Sequence, residues 1–338
     1  MDIQSSKCFI QGRIHKLNNL PCQDRVAVYR YNNIIAMSLA DGAGSCKYSD
    51  IGAEIVTSEI NKLLTKKFDI FFKSDGDNIR QQIIETLHDK LKVEAQKRQI
   101  QLKELSSTLL FVAIKANNFL SGHIGDGLIG VQIKKADMEK EDIIVLSYPE
   151  RGEYANETYF TTGVDVMKHL RLYRGNIDDK SGFVMMSDGA MDCLFNKKEN
   201  RFALAIERFF EWMENHSEEV INKALEENFS KLIIEKTTDD CSIGLLKIRK
   251  EGKKNELRRT ELSTEQLKNL PFEELNDLPA YQLKYHLKCK NKRALHNKLK
   301  VLKAIRIYGK EYKKHLKLKH KTIENHKKSL KESGWITF

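Results

Sequence analysis

The chain has 338 residues, 41% of them hydrophobic, and a net charge of +11. This is enough for one domain of about 240 residues with a proper core and a smaller second one. No apolar run reaches the roughly 18 residues of a membrane span, and no signal peptide is recognisable, so we expect a cytoplasmic protein without membrane contact. Its six cysteines lack CxxC spacing, which predicts neither a zinc site nor a disulfide framework.

The positive charge is concentrated at the C-terminal end. Residues 251–338 contain 23 Lys and Arg against 10 Asp and Glu, whereas the first 250 residues contain 35 against 37. The sequence therefore predicts a first domain over 1–250, a charged linker over 251–270 and a basic, mostly helical domain over 271–338. A segment with this charge is expected to meet an acidic partner.

Short aliphatic runs alternate with amphipathic stretches through the first 250 residues, which predicts an α+β domain. Strands are predicted at 8–14, 25–31, 34–40, 108–114, 128–133, 142–148, 183–187 and 242–248. Helices are predicted at 50–68, 78–99, 201–216 and 218–235, where apolar residues recur every three or four positions. This order suits a β-sandwich flanked by helix pairs, although periodicity alone does not choose it over other α+β arrangements.

Four aspartate clusters lie next to predicted strands: DGAGS at 41–45, GDG at 125–127, SDG at 187–189 and DDCS at 239–242. A single Asp-Gly pair between strands usually marks a turn. Four clusters at strand ends, however, can gather carboxylate oxygens from distant parts of the chain. Oxygen ligands of this kind favour Mg²⁺ or Mn²⁺, so the pattern predicts a metal-dependent hydrolase.

The order of these clusters resembles the PPM or PP2C-type family of metal-dependent protein Ser/Thr phosphatases over about residues 8–248. The resemblance rests on GRIHKLNNLPCQDR (12–25), IIAMSLADGAGS (34–45), SSTLLFVAI with SGHIGDGLIGV (106–131), FVMMSDGAMDCL (183–194) and TTDDCSIGLLKI (237–248). It implies a four-layer α/β/β/α sandwich, here followed by the small basic helical domain. It also implies hydrolysis of phosphoserine or phosphothreonine in a phosphorylated protein substrate.

The resemblance further implies a site for two Mg²⁺ or Mn²⁺ ions, with room for a third. Asp41 would bridge the two ions, and Asp24 would position water; these are the expected catalytic residues. The remaining metal ligands would be the Gly42 carbonyl, Asp126, Asp188 and Asp239, with Asp240 as the alternative to Asp239.

Three positions depart from better known members of that family. Ala43 replaces a histidine, Gln23 replaces an acidic residue, and Asn19 falls where an arginine would bind the substrate phosphate. Arg13, His15 or Arg25 are the candidates to replace that arginine. Because the expected ligands remain, we expect an active enzyme. The alternative is a degenerate fold that acts as a regulatory or DNA-binding sensor without turnover.

Residues 321–336, KTIENHKKSLKESGWI, resemble the recognition helix of a bacterial helix-turn-helix or winged-helix module. The candidates for contact with phosphates or base edges are Lys321, Asn325, Lys327 and Lys328. Two other interpretations of this basic region remain open. It could dock to an acidic protein, or it could be a plain solvated surface.

Overall fold

The computed structural model describes residues 2–134, 141–150, 158–249, 287, 297–302 and 320–332. The chain divides into two compact units, Met1–Lys253 and Lys254–Phe338. The predicted linker at 251–270 and most of the predicted basic domain lie outside the described residues. Within the described ranges, no helix combines the length and apolar character that a membrane crossing requires.

Two five-stranded antiparallel sheets form the centre of the first unit. In spatial order, the first sheet contains β1 (Asp2–Ile10), β12 (Cys241–Arg249), β9 (Lys180–Met186), β6 (Leu128–Ile133) and β7 (Asp142–Ser147). The second contains β2 (Arg25–Tyr31), β3 (Ile34–Ala40), β4 (Leu109–Lys115), β5 (Asn118–Ile124) and β8 (Arg171–Asn176). A short hairpin pairs β10 (Phe195–Asn196) with β11 (Arg201–Phe202).

The helices of the first unit are α1 (Arg13–Leu17), α2 (Ser49–Lys73), α3 (Gly76–Arg98), α4 (Val166–His169), α5 (Asp188–Leu194), α6 (Leu204–Asn215) and α7 (Glu218–Asn228). A 3₁₀ turn covers Leu102–Leu105, and a π-helical turn covers Phe229–Ile233. The start of α3 is fixed by Asp75, whose side chain accepts a hydrogen bond from Asn78 N at 2.9 Å. The second unit contains α8 (His320–Glu332).

Side chains point alternately to the two faces of the buried strands, and the core is therefore divided into three hydrophobic clusters. In β3, Ile34 and Ala36 pack in the cluster with α2 and α3, whereas Ile35, Met37 and Leu39 pack between the two sheets. A third cluster packs α6 and α7 on β1, β9 and β12. Each fully buried aliphatic or Phe side chain contributes about 1.5–3 kcal/mol of transfer free energy. These layers confirm the predicted α+β sandwich with helices on both outer faces.

Several local predictions were wrong. The strand expected at 8–14 instead runs over Asp2–Ile10, and residues 13–17 form α1. The edge strand β8 and the short helix α5 were not predicted, because RLYRGN is largely polar and the SDG segment resembles a turn. Helix α7 ends at Asn228 rather than at 235.

Candidate active site

Five aspartates meet at one edge of the sandwich because each lies at the end of a strand. Asp24 precedes β2, Asp41 follows β3, and Asp126 follows β5 after one residue. Asp188 begins α5 just beyond β9, and Asp239 lies two residues before β12. The start of β2 is paired with the end of β3, and the start of β12 with the end of β9. The antiparallel register therefore brings these carboxylates together.

The backbone at Asp41 is fixed from both sides. Asp41 N donates to Thr108 Oγ1 at 2.9 Å, and Thr108 N donates to Asp41 O at 2.8 Å. On the other side, Gly42 N donates to Gln23 O at 3.2 Å. The DG loop is thus held between the residues that precede β2 and β4.

The GDG turn places Asp126 beside this loop. Gly125 has φ +106°, and a Cβ there would lie 2.6 Å from the Thr108 side chain, so this position requires glycine. Its carbonyl accepts a hydrogen bond from Glu150 N at 2.9 Å. Asp126 Oδ2 accepts a hydrogen bond from Thr158 Oγ1 at 2.5 Å, so one carboxylate oxygen has a protein partner.

Asp24 is completely buried, and neither of its carboxylate oxygens has a hydrogen-bond partner of ordinary geometry among the described residues. The Gln23 Oε1 atom of the preceding residue is also buried, with no hydrogen-bond partner in the part of the chain that the structure describes. The Arg25 guanidinium does not neutralise Asp24, since it donates to the carbonyl oxygens of Cys22 and Asp24 at 2.7 and 2.9 Å. The Ser187 and Ser242 hydroxyls lie near this carboxylate without such a bond, so its buried oxygens remain available to a further partner.

The site is strongly electronegative. Burial raises the pKa of Asp24 to about 7, although the hydroxyls of Ser242 and Ser187 oppose the shift. Burial also raises the pKa of Asp188 to about 6, and the charge of Asp126 raises it further.

Asp41 and Asp239 show the same effect. Burial raises the pKa of Asp41 well above its usual range, and the charges of Asp24, Asp188 and Asp239 add to the shift. The pKa of Asp239 is raised as well, because its carboxylate is partly removed from solvent although the residue as a whole is exposed. In the described ranges, no group of three or more His, Cys, Asp or Glu side chains is placed so that it could hold a metal ion as it stands. The carboxylates therefore form an open cluster that repels itself and that a divalent cation would stabilise.

Asp239 and Asp240 are neighbours with different surroundings. Asp240 is 2% exposed, and its two oxygens accept hydrogen bonds from Gly12 N and Gln23 N, both at 2.5 Å. Asp239 is exposed and accepts from Asp240 N at 2.8 Å. The Asp240 side chain thus joins distant chain segments, whereas the Asp239 side chain remains accessible at the site. Nothing in the sequence pattern had indicated this role of Asp240 beyond the DD pair itself.

The three candidates for binding the substrate phosphate are placed differently. Arg13 is exposed on α1, where its Nε donates to Thr237 O at 3.1 Å. His15 lies 2.9 Å from Asp240 through Nδ1. Arg25 is turned toward backbone carbonyls and away from this role. Asn19 lies in the turn after α1 with φ +53°.

In the second unit, the predicted contact residues lie on α8. Lys321, Asn325 and Lys328 are exposed, and Lys327 is half-buried. The apolar residues Ile323 and Leu330 of the same helix are buried. Helix α8 therefore has a buried apolar side and an exposed polar side.

Comparison with known proteins identifies the family to which this chain belongs. The chain belongs to the protein phosphatase 2C family, whose sequence profile matches residues 11–230. Serine/threonine-protein phosphatase 3 of Escherichia coli (strain K12) is 25% identical over 167 residues, which cover 48% of this chain and 64% of the relative. The chain thus spans less than two thirds of that relative's length.

Solved structures agree with this fold. The S. agalactiae serine/threonine phosphatase superposes with a TM-score of 0.51 at 14% identity, over 73% of this chain and 100% of that one. A variant of a bacterial serine phosphatase superposes with a TM-score of 0.50 at 14% identity, over 73% and 99% of the two chains.

Proposed function

We propose that this protein is a Mg²⁺- or Mn²⁺-dependent phosphatase that hydrolyses phosphoserine or phosphothreonine in proteins. The observation that carries the proposal is the cluster of five carboxylates at one sheet edge, in which neither buried Asp24 oxygen has a hydrogen bond of ordinary geometry among the described residues. Such a cluster needs cations and would collect two of them. Family membership supports the same activity.

The chain's own groups fit that task. Asp41 and Asp188 lie close enough for each to shift the pKa of the other, as suits side chains that share a cation. Together with the Gly42 carbonyl and Asp239 they would hold two ions, and Asp126 would hold a third. When bound, these ions would neutralise phosphoryl oxygens and make hydroxide available near neutral pH. Asp24, anchored through its backbone by Arg25, would orient the water that attacks phosphorus.

The test is hydrolysis of p-nitrophenyl phosphate and of a phosphoserine peptide with and without Mn²⁺. We expect turnover that requires the added ion, that stops with a chelator, and that is lost in Asp188→Asn. Asp192→Asn is the matched control, because Asp192 lies on the same helix but is exposed and paired with Lys197 at 2.6 Å. Ion binding without turnover would instead support the sensor interpretation.

We propose in addition that the basic C-terminal region binds nucleic acid. The support is the polar side of α8, where Lys321, Asn325 and Lys328 are exposed at intervals of four and three residues. The full-length protein should shift a DNA or RNA fragment at low salt, and the shift should weaken steeply as salt rises. Lys321→Gln with Lys328→Gln should reduce it, while Lys66→Gln on α2 should not. Retention of an acidic protein with no nucleic-acid shift would favour the docking interpretation.

A further inference from the structure

Residues 12–23, which we call the α1 loop, lie between β1 and β2 and begin and end beside the carboxylate cluster. Their two ends are tied to the same side chain, because Gly12 N donates to Asp240 Oδ1 and Gln23 N donates to Asp240 Oδ2, both at 2.5 Å. The loop then leads directly into buried Asp24. The α1 loop therefore forms part of the rim of the proposed phosphatase site.

Helix α1 is held on this rim by its backbone. Ile14 N donates to Thr238 O at 3.2 Å. A Cβ at Gly12 would lie 2.4 Å from the carbonyl carbon of Asp239, so the start of the helix lies directly against that peptide. A helix of five residues has little stability of its own. These backbone contacts, rather than apolar packing, therefore fix its position.

The apolar side chains of the α1 loop are exposed. No residue of α1 is buried, and the exposed fractions of Ile14, Leu17 and Leu20 are 48%, 81% and 41%. Ile14 and Leu17 are three positions apart and share a side of the helix. Single exposed apolar residues are common, but contiguous apolar patches mark contact sites. We call these three residues the rim patch, because the described core clusters do not include them.

The groups around the rim patch are uncharged or basic. Residues 12–23 contain Arg13 and Lys16 but no Asp or Glu. Lys16 is exposed on α1, and the exposed Arg13 guanidinium lies 3.9 Å from Glu235. A peptide that carries both a phosphate and an apolar side chain matches the basic and apolar character of this rim. The cations of the proposed function would neutralise the neighbouring carboxylates.

We propose that the rim patch binds a large apolar side chain of the phosphorylated protein substrate, within about three residues of the phosphoserine or phosphothreonine. The inference rests on the proposed function and narrows its substrate class. Helix α1 is about 7.5 Å long, and an extended peptide advances about 3.3 Å per residue. A substrate whose phosphate lies at the carboxylate cluster therefore passes the rim patch about two or three residues away. Ile14 and Leu17 determine specificity and take no part in the chemical step.

The experiment measures Mn²⁺-dependent kcat/KM on phosphoserine peptides in which Leu or Gln occupies each of the three positions on either side of the phosphoserine. At the favoured position, wild type should prefer Leu by about 10-fold, because part of the Leu side chain is removed from water. Leu17→Gln should lower this preference to about 2-fold or less. Val93→Gln is the matched control and should keep the preference, since Val93 is 63% exposed but lies on α3.

A binding measurement tests the contact without turnover. The same peptides, with a non-hydrolysable phosphonate in place of the phosphate, are titrated by fluorescence polarisation in the presence of Mn²⁺. Leu peptides should bind wild type about 10-fold more tightly than Gln peptides, and Leu17→Gln should remove the difference. If this preference is found while no substrate is hydrolysed, the proposed function fails and the rim patch remains a peptide-binding surface.

Three results would overturn the inference. The first is equal kcat/KM and equal binding for Leu and Gln at every position, and the second is a preference that Leu17→Gln retains. The third is a different occupant of the rim patch. Sedimentation velocity would show this if wild type is a dimer and Leu17→Gln a monomer, and co-sedimentation with anionic lipid vesicles would show it if only wild type binds them.

Discussion

The two ends of strand β12 differ in whether their charges have partners of opposite sign. Near its C-terminal end, Lys247 is 1% exposed and is fully matched. Its Nζ lies 2.9 Å from Glu141, 3.1 Å from Glu214 and 2.8 Å from the Gln132 amide oxygen. Just before its N-terminal end, Asp239 acts on Asp41 and Asp188 through its charge, and no Lys or Arg side chain among the described residues forms an ion pair with these carboxylates.

This difference distinguishes charges that stabilise the fold from charges that are available to bind a ligand. Around Lys247, opposite charges offset the cost of burial. Burial by itself would raise the pKa of Glu141, but the hydrogen bond and the charge of Lys247 lower this pKa below its usual value. At the carboxylate cluster, burial and like charges raise the pKa values of Asp24, Asp41, Asp188 and Asp239. Uncompensated charge of this kind marks a binding site rather than a structural ion pair.

The largest effect that this comparison predicts is in Asp41→Asn. If two cations share Asp41 as we propose, its loss should lower kcat by about 10³-fold, since electrostatic stabilisation of several kcal/mol is removed. The metal-free variant should nevertheless melt at or above the wild-type temperature, because one repelling carboxylate is gone. Calorimetry without metal, beside the activity assay, checks both parts. A melting temperature well below wild type would mean that Asp41 stabilises the fold.

The opposite result is expected for Lys247→Met. This change leaves two partly buried glutamates without their cation and should destabilise the first unit by about 3 kcal/mol, measured by urea denaturation. Lys197→Met, which breaks an exposed pair with Asp192, should cost less than about 1 kcal/mol. Both variants should keep Mn²⁺-dependent turnover at temperatures where they are folded. Loss of turnover in folded Lys247→Met would contradict the division of roles between the two ends of β12.

A smaller effect concerns pH. The raised pKa values of Asp24 and Asp188, about 7 and 6, mean that the native protein holds protons that the unfolded chain releases. This contribution to stability is present below the unfolded pKa near 3.8 and is lost as pH rises through 6 and 7. Metal-free protein should therefore melt lower at pH 7.5 than at pH 5.5.

Mn²⁺ should reverse this trend, because ions compete with protons for the carboxylates. At an ion concentration about 100 times Kd, the melting temperature at pH 7.5 should rise by about 5–10 °C. The rise should be smaller at pH 5.5. An equal rise at both values would place the ion away from the carboxylate cluster.

The local pattern of apolar and turn residues predicted the bounds of two strands to the residue. Strands β2 and β3 were expected at 25–31 and 34–40 and occupy those residues, since apolar runs there are bounded by clear turn residues. The same reasoning predicted a strand at 8–14, and this prediction was wrong. The apolar residues of this region continue past Gly12, but the Gly12 N–H donates to Asp240 instead of to a strand. That partner is 228 residues away in sequence, beyond the range of any local pattern.

The sequence by itself determined an α+β domain and the positions of the aspartates at strand ends, because both depend on local hydrophobic alternation and turn residues. The four-layer arrangement was implied only by the family resemblance. Only the tertiary structure decided which of two adjacent aspartates faces the site and which holds the chain together. It also placed His15 against Asp240 and turned Arg25 toward backbone carbonyls. These outcomes depend on hydrogen bonds between distant segments, where satisfying a buried N–H outweighs any preference that the local sequence can express.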